Sequence, residues 1–456
     1  VQENAGTVSI SVVLSQASSS AVSIPFTLGG TALAGADYQI PASPLTIPAG
    51  QTSGTIDIVL AADGLAEPAE TIIVVLGTPT GATLGATTTH TLTIAASEAP
   101  PQADYAAIYV SGVGSDANDG KTVGAPFRTL TKALSVAEDG AVIHVASGWY
   151  RPADGLMVTN GVTIVADKGP EETFLFAPMT TANKAMVTVA HKDAVLSGLT
   201  ITGKGKVKDE DTNEQQPEQW GGLRVTAGVV TNCVISHHKT KGNSVNGAGC
   251  RLEGGTVVDC TFTNNYCQYA GNSSRGGAVI MEKGDALLDR CTVISNRIWQ
   301  SSANANSPGK GDNSYACGGG VYLSVGTVRN SLVVGNKSLS YGGGIAVKGT
   351  GRVLNCTVVG NKARLASGGI WQGGGGTVTN CLCLGNVAHG VVDVADDPGF
   401  VDAANGDYRL NPASAAVDAA DGAADLGDLD LDGRPRVIGA QADKGCYERQ
   451  ASQTDF

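Results

Sequence analysis

V-T-N-C-V (230–234), V-V-D-C-T (257–261), L-D-R-C-T (288–292), V-R-N-S-L (328–332), V-L-N-C-T (353–357) and V-T-N-C-L (378–382) are six versions of one segment. The central slot holds Cys233, Cys260, Cys291, Ser331, Cys356 and Cys381 in turn. Five residues after a slot stand Asn265, Asn296, Asn336, Asn361 and Asn386. Ten to thirteen residues before each slot, a glycine pair or its Ala-Gly variant ends in an apolar residue: G-G-L (221–223), A-G-C (248–250), G-G-A (276–278), G-G-V (319–321), G-G-I (343–345) and G-G-I (368–370). This is an internal repeat. The slots are 27, 31, 40, 25 and 25 residues apart, and the variation falls in one loop. A coiled solenoid behaves this way: each turn adds a strand to every face, and insertions leave from one corner. The segments are short, β-branched and bounded by Gly and Asn, which argues strands rather than helices.

Strands of successive turns stack about 4.8 Å apart, so equivalent side chains lie above one another. Small Cys, Ser and Thr suit an interior stack, and Asn amides can bond along a ladder at a bend. The slot cysteines are therefore read as core residues, free cysteine being among the most buried residue types. A metal site needs Cys pairs two to four residues apart, and only Cys381 and Cys383 come close. Cys267 and Cys317 differ, lying in long loops of neighbouring coils. A disulfide between them is one reading, which only an oxidising compartment would keep.

The chain has 456 residues, enough for two or three units. Its 62 glycines and low aromatic content suit strands and turns. With 30 basic against 42 acidic residues the net charge is −12, which argues against nucleic acid and anionic membrane as partners. No apolar run approaches the ~20 residues of a membrane-spanning helix. No signal peptide is visible and Val1 is not an initiator Met, so the chain is expected to be processed already.

Residues 1–98 are a different unit. V-S-I-S-V-V-L, V-S-I-P-F-T-L, G-T-I-D-I-V-L, E-T-I-I-V-V-L and H-T-L-T-I alternate or run apolar between turn residues, the pattern of a small antiparallel sandwich. V-Q-E-N-A-G-T-V at 1, G-A-D-Y at 35, I-P-A-G-Q-T at 47, D-G-L-A-E-P-A-E-T at 63 and L-T-I at 92 resemble a Calx-beta domain over nearly this whole segment. Some such domains hold calcium through acids clustered at the sandwich end. The resemblance implies Glu3, Asp37, Asp63, Glu67 and Glu70 for that role, and oxygen clusters suit calcium. Other relatives are plain spacers, and the acidic run expected after the last strand is A-A-S here, with Glu98 nearby.

A Pro-containing linker (99–104) comes next. Beyond it, Phe127, Leu130, Ala133, Leu134 and Ala137 share one face of an expected helix ended by Gly140. Such a helix would cover the open first coil. The stretch I-Y-V-S-G-V-G-S-D-A-N-D-G through A-S-G-W-Y resembles the opening of pectate-lyase-like right-handed parallel β-helix proteins. The coils are assigned to 105–394. Residues 395–448, with D-P-G-F-V-D-A-A-N-G-D-Y-R-L-N-P, D-L-D-G-R-P-R and K-G-C-Y-E, resemble the closing segment of secreted bacterial "choice-of-anchor Q" β-helix proteins and are read as a cap on the last coil. The expected fold is all-β: an Ig-like sandwich, then a right-handed parallel β-helix with an N-terminal capping helix.

The fold resemblance implies an enzyme alternative, a polysaccharide lyase with a Lys or Arg base. The richest candidates are Lys204 and Lys206 of the charged insert 204–220, with His237, His238, Lys239 and Lys241 in the next turn. The bland reading of that insert is a solvated loop. Neither the Asp cluster and Arg motif of pectate lyases nor a glycosidase-like carboxylate pair stands out. Trp220, Trp299, Trp371, Tyr266, Tyr269, Tyr315 and Tyr341 flank the corner where the loops leave. They would either stack on sugar rings or seal the loop bases. D-L-D-L-D-G (428–433) spaces Asp428, Asp430 and Asp432 as in a calcium loop, but Gly439 stands where an EF-hand has Glu. A partial calcium site and a simple turn both remain open.

In the Calx-beta pattern a strand precedes the V-x-E motif, whereas Val1 opens that motif here. The tail 449–456, with Ala451 and Phe456 its apolar residues, comes after the cap. Read head to tail, A-S-Q-T-D-F-V-Q-E-N-A-G resembles the missing junction. The expectation is a secreted, non-enzymatic structural or adhesive protein at the cell surface, assembled into a fibre by donating this tail to the next subunit's sandwich. The rivals are a polysaccharide-binding or polysaccharide-degrading enzyme and a monomeric adhesin. Expected partners are further copies of itself and, on the rival readings, a polysaccharide; no cofactor is expected to be required, with calcium the one option.

Overall fold

The structure is a computed structural model that describes residues 1–2, 5–32, 37–39, 41–61, 69–96, 107–176, 185–203, 221–300, 316–388, 391–392, 397–422, 425–437 and 441–449. Two compact units divide the chain, Val1–Asp104 and Tyr105–Phe456.

Among the described residues of the first unit eight strands form: β1 (Thr7–Val13), β2 (Val22–Ile24), β3 (Phe26–Gly30), β4 (Tyr38–Gln39), β5 (Leu45–Ile47), β6 (Ser53–Leu60), β7 (Glu70–Leu76) and β8 (Thr89–Ile94). All pairs are antiparallel, in the orders β1-β6-β4, β3-β7-β8 and β2-β5. The two-residue period of β6 and β7 turns Ile56, Ile58, Ile72 and Val74 inward against Phe26, Tyr38 and Leu92. At the far end of β8 the Val1 ammonium donates to the Thr93 carbonyl (2.8 Å) and Ala95 N–H donates to the Val1 carbonyl (2.7 Å). Those two bonds are the pattern of a parallel pair centred on Ile94.

The second unit opens with α1 (Leu130–Val136). Thr129 caps it, accepting from Lys132 N–H, while Asp116 in turn bonds Thr129 and the Arg128 N–H. Leu130 and Ala133 are buried, and Phe127 and Ala137 join the same core. The helix is one turn shorter than its apolar pattern suggests: Ala137 is already extended, and Gly140 serves the following turn with φ +86°.

Thereafter the chain winds a parallel β-helix with three long faces. Among the described residues the first face has ten strands, from Ile108–Val110 to Thr377–Thr379, the second nine, from Gly148–Tyr150 to Leu382–Leu384, and the third eight, from Leu156–Val158 to Ile370–Gln372. Register is kept rung by rung. On the second face Ile201, Ile235, Phe262, Val293, Val333, Val358 and Cys383 are successive partners. On the third face Leu223 pairs with Cys250 and Cys250 with Val279.

Two bends share one construction. Between first and second faces, the residue before each slot is left-handed: Asn232, Asp259, Arg290, Asn330, Asn355 and Asn380 have φ of 44–56°. At the bend that ends the second face, the left-handed residues are His237, Asn264, Ser295, Gly335, Gly360 and Gly385. Asn and Asp tolerate this region better than other side chains, and glycine adopts it freely. The glycine pairs mark a third corner, where coils approach too closely for side chains. A Cβ on Gly319 would lie 2.4 Å from the Gly343 carbonyl oxygen.

Two expectations are corrected. The variable segments do not leave the second bend as loops. They start as a fourth parallel ladder, Lys239–Asn246, Tyr266–Arg275, Arg297–Gln300, Lys337–Ser338, Lys362–Ala363 and Val387–Ala388, because the bend returns the backbone to strand geometry at coil spacing. The closing segment does not sit on the end of the last coil alone. Phe400, Leu410 and Ala416 pack on the outer side of the second face, over Val334, Val359, Leu382 and Leu384. Outward positions there change from Thr261, Thr263 and Thr292 to Leu332, Val334 and Val359, so the later coils present an apolar strip that needs a cover. Polar bonds fix the cover: Arg329 to Asp425 (2.7 Å), Asn330 Nδ2 to the Leu426 carbonyl (2.7 Å) and Cys446 N–H to Thr357 Oγ1 (3.1 Å).

Candidate functional site

The slot residues stack at the first bend. Cys233, Cys260, Cys291, Ser331 and Cys356 are buried, and Cys381 is half-buried in the last coil. Cys233 N–H donates to Cys260 Sγ (3.4 Å), and Cys291 N–H donates to Ser331 Oγ (3.1 Å). The thiols donate to nearby carbonyls: Cys260 to Val258 (3.2 Å), Cys291 to Asp289 (3.1 Å) and Cys356 to Leu354 (3.3 Å). Burial raises the pKa of Cys250, Cys291 and Cys356, leaving them protonated and poorly nucleophilic. The disulfide reading is corrected. Cys267 and Cys317 are both free thiols in separate apolar clusters. Cys267 accepts from Thr240 Oγ1 and donates to the Gly276 carbonyl, with its pKa pushed up to about 11 by burial.

At the second bend the amides of Asn265, Asn296, Asn336 and Asn361 each join three coils, and Asn386 closes the ladder on the coil before it. Asn296 Nδ2 donates to the Phe262 carbonyl on one side (2.9 Å) and to Asn336 Oδ1 on the other (3.0 Å). Its Oδ1 accepts both Asn265 N–H (2.9 Å) and Asn265 Nδ2 (3.0 Å). Asn336, Asn361 and Asn386 continue the ladder with the same distances to within 0.2 Å. His238, offered as a catalytic candidate, is the rung above Asn265. It is buried, its backbone N–H donates to Asn265 Oδ1 (3.1 Å) and its Nε2 meets the Ile201 carbonyl (3.1 Å). Burial drives its pKa down to about 4. It is buried in the wall, with its backbone N–H and its Nε2 both engaged, so its catalytic reading is corrected. Lys204, Lys206 and the Lys241 side chain lie outside the described residues.

One residue beyond the Asn ladder, Lys239, Tyr266, Arg297, Lys337 and Lys362 are successive register partners. Their side chains point outward, and Arg297, Lys337 and Lys362 are exposed. Lys239 Nζ lies 5.2 Å and Arg297 Cζ 5.0 Å from the Tyr266 ring centre. A cleft of about 410 Å³ runs along the row, lined among others by His237, Asn264, Ser295, Arg297 and Lys337. Among the described residues no carboxylate lies within ion-pair distance of Lys239, Arg297, Lys337 or Lys362. Of the other loop-base aromatics, Tyr341 and Trp371 stack on each other (4.9 Å) in a cluster with Tyr322 and Ile280. Trp220, Tyr315 and the side chains of Tyr269 and Trp299 lie outside the described residues.

The calcium candidates are described only in part. Glu3, Asp63 and Glu67 are outside the described residues, Asp37 is buried next to Tyr38, and Glu70 opens β7. Asp430 Oδ1 accepts Asp432 and Arg434 N–H, and its Oδ2 accepts Glu448 N–H. Asp432 meets Arg409 through both oxygens (2.8 and 3.0 Å), and Arg436 N–H donates to the Asp428 carbonyl. That segment is a turn held by backbone donors. Among the described residues no group of three His, Cys, Asp or Glu is placed to hold a metal.

In the first unit a second cleft, of about 300 Å³, opens between β1 and β8. Ile10, Val12, Leu14, Ile24, Val74 and Leu76 are among its apolar lining. Within the described residues β1 pairs only with β6, and β8 only with β7 apart from the Val1 contact. Sequence reasoning found the slots and the Asn ladder; it missed His238 as a rung and the cationic row, although both keep the repeat's spacing.

Comparison with known proteins assigns residues 1–98 to the Calx-beta domain, 112–208 to a protein of unknown function (DUF1565) and 219–391 to the right-handed β-helix region. No curated protein matches. Among solved structures, CBD12 from CALX1.2 is 27% identical over 20% of this chain and 39% of its own, with a TM-score of 0.20. The chain thus spans about two fifths of that protein's length. Pectate lyase Pel9A is 13% identical over 75% of this chain and 96% of its own (TM-score 0.42). Pectin methylesterase PemA from Erwinia chrysanthemi is 14% identical over 63% and 91% (TM-score 0.38). No helix among the described residues is long and apolar enough to cross a membrane. By sequence and fold together, the chain is a Calx-beta domain followed by a right-handed parallel β-helix.

Proposed function

We propose that the chain is a secreted, non-enzymatic structural and adhesive protein whose copies join head to tail. In this reading segment 449–456 of one copy enters the sandwich of the next. The cleft between β1 and β8 is the observation that carries it. An apolar cleft bordered by two strand edges suits an added strand, which satisfies edge N–H and C=O groups and fills the cleft with its side chains. Val1 already holds the parallel position beside Ile94, and a strand in line with it would run along Leu92 and His90 over the cleft. A contact of this heterologous kind propagates rather than closing, which gives a filament.

Size-exclusion chromatography and negative-stain microscopy of the chain with and without residues 449–456 test the proposal. Polymers from the full chain and a monomer from the shortened one are expected. Normal fibres from the shortened chain, or a full chain that stays monomeric at every concentration, overturn it.

A further inference from the structure

We infer that the cationic row beside the Asn ladder is a binding site for a linear anionic glycan, one carrying a carboxylate or sulfate on each sugar unit. The inference is independent of the strand-donation reading, because the row lies wholly within the β-helix.

The first argument is charge placement. The chain is acidic overall, at −12, yet its second-face-to-bend segments V-I-S-H-H-K (234–239), T-F-T-N-N-Y (261–266), T-V-I-S-N-R (292–297), L-V-V-G-N-K (332–337) and T-V-V-G-N-K (357–362) contain no carboxylate. Each ends at the row, and four of the five end in Lys or Arg. Like charges on adjacent rungs repel, so the fold alone gives no reason to place them there.

The second argument is geometry. Parallel register sets the rungs about 4.8 Å apart along a straight line. A ligand satisfying several rungs must itself repeat its charge at the length of a sugar unit. A small anion meets two rungs at most, whereas the cleft runs past four coils, from His237 to Lys337. Exposed amides and hydroxyls of Asn264 and Ser295 line the cleft and suit sugar hydroxyls.

The third argument separates glycan from single-stranded nucleic acid. Nucleic acid binding without base pairing needs free aromatic faces for the bases. Tyr266 is the one aromatic residue in the row, and cations from the coils on either side already cover it. Among the described residues that leaves the row of charges without a stacking platform.

Binding of fluorescent polygalacturonate, dextran sulfate, neutral dextran and oligo-dT to the full chain, followed by anisotropy at 20 and 300 mM salt, tests the inference. Polygalacturonate or dextran sulfate is expected to bind and to weaken steeply with salt, and the stronger of the two identifies the anion. R297A/K337A should weaken binding at least tenfold. K283A/K348A, which removes two positive charges away from the row, should leave it within twofold. Equal loss in both double variants, preferential binding of oligo-dT, or no binding of either charged glycan overturns the inference. Circular dichroism of each variant separates unfolding from lost binding.

Discussion

The backbone N–H of His238 donates to Asn265 Oδ1 at 3.1 Å, which makes an imidazole the first rung of an amide ladder. The next coils repeat that bond from Asn265 to Asn296 and from Asn296 to Asn336, both at 2.9 Å. His238 offers a ring nitrogen to the Ile201 carbonyl where an Asn offers its Nδ2. The equilibrium cost of charging that buried ring appears in the pH dependence. The folded pKa, about 4, lies below the ordinary value of 6.5, so the unfolded chain binds more protons between those values. Stability from this group is complete above pH 6.5 and is lost as pH falls toward 4, by about 3 kcal/mol in all. Urea melts at pH 7 and pH 4.5 should show most of that loss in the wild type. H238N, which completes the amide ladder, should show a clearly smaller one.

Inner rungs and bend residues should differ in their tolerance of substitution. N336A strips acceptors from Asn296 and donors from Val293 and Asn361, all buried, and should cost about 3 kcal/mol or more. Asn264 is exposed and contributes its left-handed backbone, φ 53°, where later coils have Gly335, Gly360 and Gly385. N264G should fall within about 1 kcal/mol of wild type in the same melts.

Thiol reactivity should follow burial. Eight of the ten cysteines are buried, and Cys381 and Cys383 at the last coil are half-buried. Burial raises the pKa of Cys446 to about 12 and of Cys267 to about 11. A disulfide-exchange dye at pH 8 should titrate two thiols slowly in the native protein and ten in denaturant. C291S should be tolerated at a cost below about 1.5 kcal/mol, because Ser331 already fills the next rung with its Oγ bonded to the Arg329 carbonyl.

The slots, their strands and the bend ladder were legible because a solenoid repeats each requirement once per coil. A residue type that recurs at one phase marks one place on the wall. His238 escaped because it keeps the phase and changes the residue type. The fourth ladder escaped because its strands differ in length, from two residues at Lys337–Ser338 to ten at Tyr266–Arg275, and unequal lengths look like loop insertions. The flank position of the closing segment was readable in principle from Leu332, Val334, Val359, Leu382 and Leu384, whose earlier equivalents include Thr261 and Thr263. That signal spreads over about 50 residues and is apolar on both faces, so periodicity alone does not separate it from the core.

Because the closing segment covers a flank, its loss should leave the coils intact. Phe400 is buried against Tyr408 (5.5 Å, edge-on) over Val359 and Leu384. F400A should cost the segment about 3 kcal/mol. Limited proteolysis should then cut within 397–449 while the remaining β-helix resists digestion. Uniform digestion of the whole second unit would show instead that the segment and coils fold as one.

The edge of β8 beyond Val1, unpaired among the described residues, allows a substitution that tests the proposed assembly apart from folding. In an antiparallel strand the N–H and C=O of one residue point to the same side, and alternate residues face alternate neighbours. Thr88 C=O faces β7, where it accepts Leu76 N–H, while Thr93 C=O and Ala95 N–H face Val1. Thr91 therefore presents its backbone to the open edge, and its side chain is exposed. T91P removes one edge N–H and puts a ring in the path of an added strand, yet leaves every bond to β7 in place. Its thermal melt should lie within about 1 kcal/mol of wild type, because edge proline costs little where φ is compatible. Polymers should nevertheless be absent by size-exclusion chromatography. T91V, which keeps the N–H and the strand propensity, should match the wild type's size-exclusion profile, so a side-chain effect at this position is distinguishable from a backbone one.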